Sequence, residues 1–243
     1  MNKLQAMADG GHKLALVRQQ LVDALRPGIT LLEIDRLAEK LLLQTGGEPA
    51  FKKVRNYQWS TCINVNQGVV HGIPNQYRIQ SGDLVSIDVG LYYQNYYTDT
   101  STTVPVGVVP SELIHFLKIG KKSLKKAISE AKPGNRVGHI TKAMQKTIES
   151  AGYSVVYNLT GHGIGTELHE NPRIPCSLDK PIAKTPHLKI DQTIAIEAIY
   201  TLGKPNLVTE PDGWTISTQD GKMAGLFEET IAITANGPVI LTQ

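Results

Sequence analysis

Four carboxylates and one imidazole stand where the chain otherwise reads as interior: Asp88, Asp99, His162, Glu197 and Glu228. Each acid falls within or beside a run of strand-forming residues. An ionised carboxylate in a core is very costly unless a positive group compensates it. Four such charges sum to about −4, which two divalent cations neutralise. Imidazole is the usual nitrogen ligand of a catalytic transition metal. Glycines on both sides of His162 let the backbone come close to whatever it binds. The chemistry this set implies is hydrolysis by water activated at two metal ions.

Two further histidines have a suggestive context. His71 ends the apolar run Val69-Val70-His71-Gly72-Ile73-Pro74, where the Gly-Ile-Pro exit exposes the ring. His169 follows His162 closely enough for the Gly-rich turn to bring it back to the same pocket. His12, His115, His139 and His187 lack such neighbours and read as surface or capping residues.

The acids need elements that aim them inward. Residues 84–90 predict a strand; with a period of two, Leu84, Ser86 and Asp88 share one face and Val85, Ile87 and Val89 the other. A turn at 92–95 returns the chain through 96–106, so Asp88 and Asp99 are expected to face each other across the ladder. Residues 193–197 and 226–233 repeat this, with Glu197 and Glu228 on facing strands. Glu229, next to Glu228, then points to the opposite face, solvated or hydrogen-bonded rather than ligating.

The helices repeat as well. Leu14, Val17, Leu21 and Leu25 predict a helix over 12–25, stopped by Arg26-Pro27-Gly28. Thr30 and Glu33 have capping-box spacing before a second helix that ends at Gly46-Gly47. Residues 111–131 predict a third helix led by Ser111 and stopped by Lys132-Pro133-Gly134. Ile140, Ala143, Met144 and Ile148 mark a fourth, closed by Gly152. Pro27 stands about as far before Asp88 as Pro133 does before Glu197. The repeat implies two α/β halves, about 12–107 and 110–238, within one catalytic domain spanning 1–243, with the acids at their seam.

Hydrophobic content of 41% and charged content of 19% give ample material for a core and exclude a disordered or fibrous chain. Cys62 and Cys176 are too few for a disulfide framework and fit a reducing compartment. With no apolar signal segment and no run long enough to span a bilayer, the expectation is a cytoplasmic protein away from membranes.

Taken in order, Val-Val-His71-Gly-Ile-Pro, Ile-Asp88-Val, Thr98-Asp99-Thr100-Ser101, Gly-His162-Gly-Ile-Gly, Leu-His169-Glu-Asn-Pro, Ile-Glu197, Asp212-Gly213-Trp214-Thr215 and Phe-Glu228-Glu-Thr resemble the type I methionine aminopeptidases, from about Ala15 to the C-terminus. One such motif is weak; the whole ordered set is specific. The resemblance implies an α+β pita-bread fold: two α/β halves with antiparallel sheets, related by a pseudo-two-fold, and the active site between them. It implies removal of the N-terminal methionine from nascent proteins and peptides, preferring a small second residue, by water attack at two divalent ions (Co, Mn, Fe or Zn). Asp88 would chelate one ion, Asp99 and Glu228 would bridge both, and His162 and Glu197 would complete the other. Glu197 would also carry the proton to the leaving amine. His71 would contact the substrate and help move protons, and His169 would donate to the scissile carbonyl oxygen. Tyr57, Cys62 and Trp214 match positions lining the methionine side-chain pocket. The chain departs from the family at Ala198, usually Pro, at Leu168, usually Phe, at Glu229, commonly His, and over 51–57. These changes spare the ligands and alter the pocket.

Two other readings share these residues. An X-Pro aminopeptidase or prolidase of the same fold would keep all five ligands but usually adds a sizeable N-terminal domain. A non-catalytic pseudo-peptidase typically loses ligands, and this chain keeps them. Lys118, Lys121, Lys122, Lys125 and Lys126 make one helix strongly basic. That stripe reads either as a docking face for ribosomal RNA or as a solvated helix face. The expected partners are nascent polypeptide N-termini, the ribosome through that stripe, and no second copy of the chain: a monomer.

Overall fold

Capping residues and apolar periodicity set the helices. The computed structural model describes residues 2–243, with α1 at Lys3–Ala24, α2 at Leu31–Gln44, α3 at Ser111–Ser129 and α4 at Val137–Glu149. Thr30 caps α2 as its sequence predicts: Thr30 Oγ1 accepts from Glu33 N at 3.1 Å, and Glu33 Oε2 accepts from Thr30 N at 2.8 Å. His139 is a capping residue of α4, its Nδ1 accepting from Arg136 N at 3.0 Å. Ser111 leads α3 as expected, with Pro110 before it as the N-cap.

The first helix departs from expectation. It was predicted over 12–25 and begins at Lys3, where Asn2 and Gln5 form a capping box. Gly10 and Gly11 sit inside it, although glycine disfavours helix by about 1 kcal/mol each. Packing explains Gly11: a Cβ there would run into the carbonyl of Leu241, so α1 lies directly on the C-terminal segment.

The strands are β1 (Glu48–Pro49), β2 (Thr61–Val65), β3 (Gly68–Val70), β4 (Leu84–Tyr93), β5 (Tyr96–Pro105), β6 (Ser154–Val155), β7 (Thr160–Gly163), β8 (Glu170–Pro175), β9 (Thr193–Thr201), β10 (Leu207–Thr209), β11 (Ile216–Thr218), β12 (Ala224–Thr234) and β13 (Gly237–Ile240). Ten of them form one sheet whose main path runs β1-β4-β5-β12-β9-β7-β8; β2 joins β4, β6 joins β9 and β13 joins β12. A small second sheet has the order β10-β11-β3. The long hairpin β4–β5 belongs to the first half of the chain, β9 and β12 to the second, and the two halves meet where β5 pairs with β12.

Alternation along the strands separates packing from chemistry. Val85, Ile87, Val89 and Leu91 are buried with Leu14, Leu21, Ile34 and Ala38 of α1 and α2. Ile194, Ile196, Ala198 and Tyr200 are buried with Phe116, Leu124, Ile140 and Met144 of α3 and α4. The helices therefore cover one face of the sheet. Asp88, Asp99, Glu197 and Glu228 occupy the other.

Candidate active site

Strand register assembles the acids into a row. Across the sheet, Cys62 pairs with Asp88, Asp88 with Ser101, Ser101 with Glu228 and Glu228 with Glu197. Glu197 and Glu228 face each other directly, as expected. Asp88 and Asp99 do not: Ser101 lies opposite Asp88, and Asp99 lies opposite Gly90. The two acids are diagonal neighbours, because the hairpin turn sets the register two residues off the direct pairing. Asp99 is fixed by Thr230, whose Oγ1 donates to Asp99 O at 2.7 Å and accepts from Asp99 N at 2.9 Å. His162 joins from β7, opposite Ala195. One donor atom each of Asp99, His162 and Glu228 lies within 4.8 Å of the others, and all three residues are buried.

Among the described residues, nothing cationic accompanies this cluster, and its one ion-pair contact is His162 Nε2 to Glu197 Oε1 at 3.6 Å. Burial, reinforced by His169, holds His162 down to about 4, so at neutral pH it carries no charge. The carboxyls move the other way. Burial pushes Asp88 up to about 7. Burial first, then the Asp88 and Glu197 charges, holds Asp99 well above the usual range. Glu197 is raised by burial and Asp88, and Glu228 by burial and then Asp99. Without a cation these groups must keep protons; a bound cation removes that need.

The donor set fits a metal. His162 Nδ1 lies 2.8 Å from Gly163 O, which fixes the ring with Nδ1–H donating and leaves Nε2 as a lone-pair donor toward the acids. Asp88 Oδ1 is buried with no hydrogen-bond partner. Such an orphaned carboxylate oxygen is the mark of a ligand atom.

All ten residues expected at the site line one cavity of about 180 Å³: Asp88, Asp99, His162, Glu197 and Glu228 with His71 and His169, and Tyr57, Cys62 and Trp214. Of the last three, Tyr57 and Trp214 form an aromatic wall with Cys62 beside it. Tyr57 meets Trp214 edge-on at 5.1 Å, donates to Thr61 O at 2.8 Å and lies 3.3 Å from Cys62 Sγ. Burial, then Asp88, pushes the Cys62 thiol up, so it is a neutral wall rather than a nucleophile. Asp212 holds Trp214 in place by accepting from Trp214 N and Thr215 N, both at 2.8 Å. Leu168 completes the wall with Phe51 and Val54, which sequence reasoning had not singled out. Their segment, 51–57, carries no periodic signal; only its fold against β4 brings it here.

His71 stands at the rim in a left-handed backbone conformation, φ +58°. Gly72 makes this workable: its N donates to Asn64 Oδ1 at 3.0 Å, its O accepts from Ile63 N at 2.9 Å, and a Cβ would meet both partners. The rings of His162 and His169 lie 4.5 Å apart. Burial lowers His169, so it is a neutral imidazole with one N–H to donate. Ser101 was also missed. Its Oγ is buried without a partner between Asp88 and Glu228, a position that period two from Asp99 foreshadows. Glu229 faces the other way, as expected. It pairs with Arg18 at 2.9 Å and accepts from Thr100 and Thr242.

Comparison with known proteins places the chain in a family. The profile of Metallopeptidase family M24 matches residues 5–235. Methionine aminopeptidase 1 of Bacillus subtilis is 39% identical over 241 residues, covering 99% of this chain and 96% of its own length. The crystal structure of methionine aminopeptidase from Thermotoga maritima superposes with a TM-score of 0.96 at 36% identity, over 99% of this chain and 96% of that one. The prolidase from Pyrococcus furiosus shares the fold at 25% identity and a TM-score of 0.80, but this chain spans only 64% of it. The prolidase-like alternative is therefore not favoured, and the pita-bread arrangement of the two halves holds. Full-length identity, matched fold and an acid-rich site together show that the chain belongs to metallopeptidase family M24, among its methionine aminopeptidases.

Proposed function

We propose that this chain removes the N-terminal methionine from nascent polypeptides and peptides whose second residue is small, with two divalent metal ions held by Asp88, Asp99, His162, Glu197 and Glu228. The observation that carries this reading is the gathering of four acids without a cationic side chain at the foot of an aromatic-walled cavity. Asp88 would chelate one ion, Asp99 and Glu228 would bridge, and His162 and Glu197 would complete the other. Ions bound there supply Lewis acidity and bring the pKa of water toward neutrality. Mn, Fe, Co and Zn all suit carboxylates with one imidazole.

The chain's own groups do the rest. Glu197 takes a proton and returns it to the departing amine. His169, neutral, donates its N–H to the scissile carbonyl oxygen as negative charge develops there. His71 orients the peptide at the rim. Tyr57, Cys62, Trp214, Phe51 and Leu168 enclose the methionine side chain and exclude water. A large second side chain would overpack the site beside His71 and His169, at a cost of about 1–3 kcal/mol.

Release of free methionine from Met-Ala-Ser tests the proposal. Activity should vanish with a chelator and return with metal, with two ions per chain by elemental analysis. No release with Mn, Fe, Co or Zn, or faster cleavage of X-Pro peptides, overturns it.

The reading has the whole chain act as one catalytic unit, a monomer in the cytoplasm. Among the described residues no helix is long and apolar enough to cross a membrane. Lys118, Lys121, Lys122, Lys125 and Lys126 are all exposed on α3, which supports that helix as the face that docks on ribosomal RNA. Reversing these charges should abolish co-sedimentation with ribosomes at low salt; if the unaltered chain does not co-sediment, the docking role fails.

A further inference from the structure

We infer that the chain carries an extended groove for the downstream part of its substrate, and that this groove selects acidic side chains from about the third residue onward. This rests on the reading above that the aromatic cavity takes the first side chain.

Three spaces form one path. The catalytic cavity holds its aromatic wall at one end and His71, His162, His169 and Glu197 at the other. Those same four residues line a second space of about 440 Å³, whose walls add Asn158, Thr160, Asn171 and Arg173. The latter four in turn line a groove of about 730 Å³, which continues past Tyr157, Lys180 and Lys189. A peptide with its first side chain against Trp214 and its scissile bond at the acids has its following residues beside His71 and His169. The space those histidines open into leads into the groove.

The groove has a definite charge. Arg173, Lys180 and Lys189 line it, with Asp179 its one carboxylate. All three cations are exposed, and none takes part in an ion pair among the described residues. Glu170 lines the connecting space but not the groove, and its Oε1 accepts from Thr166 Oγ1 and Glu167 N, both at 3.0 Å. Arg173 is the first cation the emerging peptide meets, since it lines both the connecting space and the groove. Tyr157, 58% exposed on the groove wall, adds an apolar surface for the peptide backbone to lie on. Unpaired cations along a concave wall focus a positive potential and attract acidic segments. Continuity with the scissile-bond site makes the substrate itself the occupant.

The test compares two heptapeptides, Met-Ala-Ser-Gly followed by three acidic or by three basic residues. The readout is the ratio of kcat/KM for the acidic over the basic peptide, on metal-loaded enzyme. At low salt the ratio should be about five- to tenfold, the scale of two or three exposed pairs. It should fall toward unity at about 0.5 M salt. The triple variant R173E/K180E/K189E should invert the ratio. Taking the ratio within one preparation removes any change in overall rate. If the triple variant does not fold, K180E alone should lower the ratio about twofold. Charge reversal on α2, R36E/K40E, should leave the wild-type ratio intact. A wild-type ratio near one, or the same inversion in R36E/K40E, overturns the groove. Failure to cleave Met-Ala-Ser at all would instead overturn the underlying reading.

Discussion

Stripping the metal and raising the pH should destabilise this protein steeply, by an amount the burial of its acids sets. Below pH about 6.5 two opposing effects mix. Asp88 rises from its ordinary 3.8 to about 7, so the folded chain holds a proton that the unfolded chain has lost, and stability falls as pH rises through that window. His162 drops from 6.5 to about 4, so it acts in reverse, and stability rises with pH between those values. Above about 6.5 His162 is neutral in the folded state and loses its remaining charge in the unfolded one, so the carboxyls dominate. Asp99, Glu197 and Glu228 stay raised by burial, so the folded state still holds protons the unfolded state does not. Each retained proton contributes a slope of about −1.4 kcal/mol per pH unit. One proton makes the loss about 1.4 kcal/mol and three make it about 4 kcal/mol per unit, a large part of a typical total of about 5–15 kcal/mol. With saturating metal the native acids are ionised, as in the unfolded chain, and the slope should vanish. Urea unfolding followed by circular dichroism, between pH about 6.5 and 8.5 with chelator or with manganese, measures both slopes. A metal-free protein whose stability stays flat across that range would refute the reasoning, because its acids would then not be holding protons against burial.

Other expectations follow from particular contacts. His162→Ala or Asp99→Ala should abolish turnover of Met-Ala-Ser while circular dichroism reports an intact fold; near wild-type rates would remove those residues from the site. Asp35, buried on α2, accepts from Ser60 N, Thr61 N and Thr61 Oγ1, so Asp35→Ala leaves three donors unpaired. Its cost should be about 3 kcal/mol by urea unfolding, and Cys62, next along β2, should become reactive to a thiol reagent. Gly72→Ala should push His71 off the rim, cutting kcat about tenfold or more at a stability cost of about 1–3 kcal/mol. Arg18→Met leaves the partly buried Glu229 carboxylate without its ion-pair partner, for about 2 kcal/mol. A double-mutant cycle with Glu229→Gln should recover part of that, and an additive cycle would show the pair to be uncoupled.

Much of the site could be read from local pattern. Period two along residues 84–90 and 193–197 separated Asp88 and Glu197 from the β-branched residues that pack under the helices, and it placed Glu229 on the far side from Glu228. Capping chemistry at Thr30 marked the start of α2. The ordered motifs carried the aromatic wall. The same local logic failed where contacts at long range decide. It placed the start of α1 too late because the apolar repeat it followed begins at Leu14, whereas close packing of Gly11 against Leu241 lets the helix start earlier. It set Asp88 directly opposite Asp99, when hairpin register put Ser101 there.

The sequence by itself determined which residues are acidic, which face of each strand they take and which family they belong to, because alternation, capping and motif order are properties of neighbours along the chain. Only the tertiary structure decided that Arg18 meets Glu229 across 211 residues, that Phe51 and Val54 close the cavity, and that Arg173, Lys180 and Lys189 line one path leading from it. Those meetings depend on how sheet register and helix packing bring distant segments together, and no local pattern of residues encodes that distance.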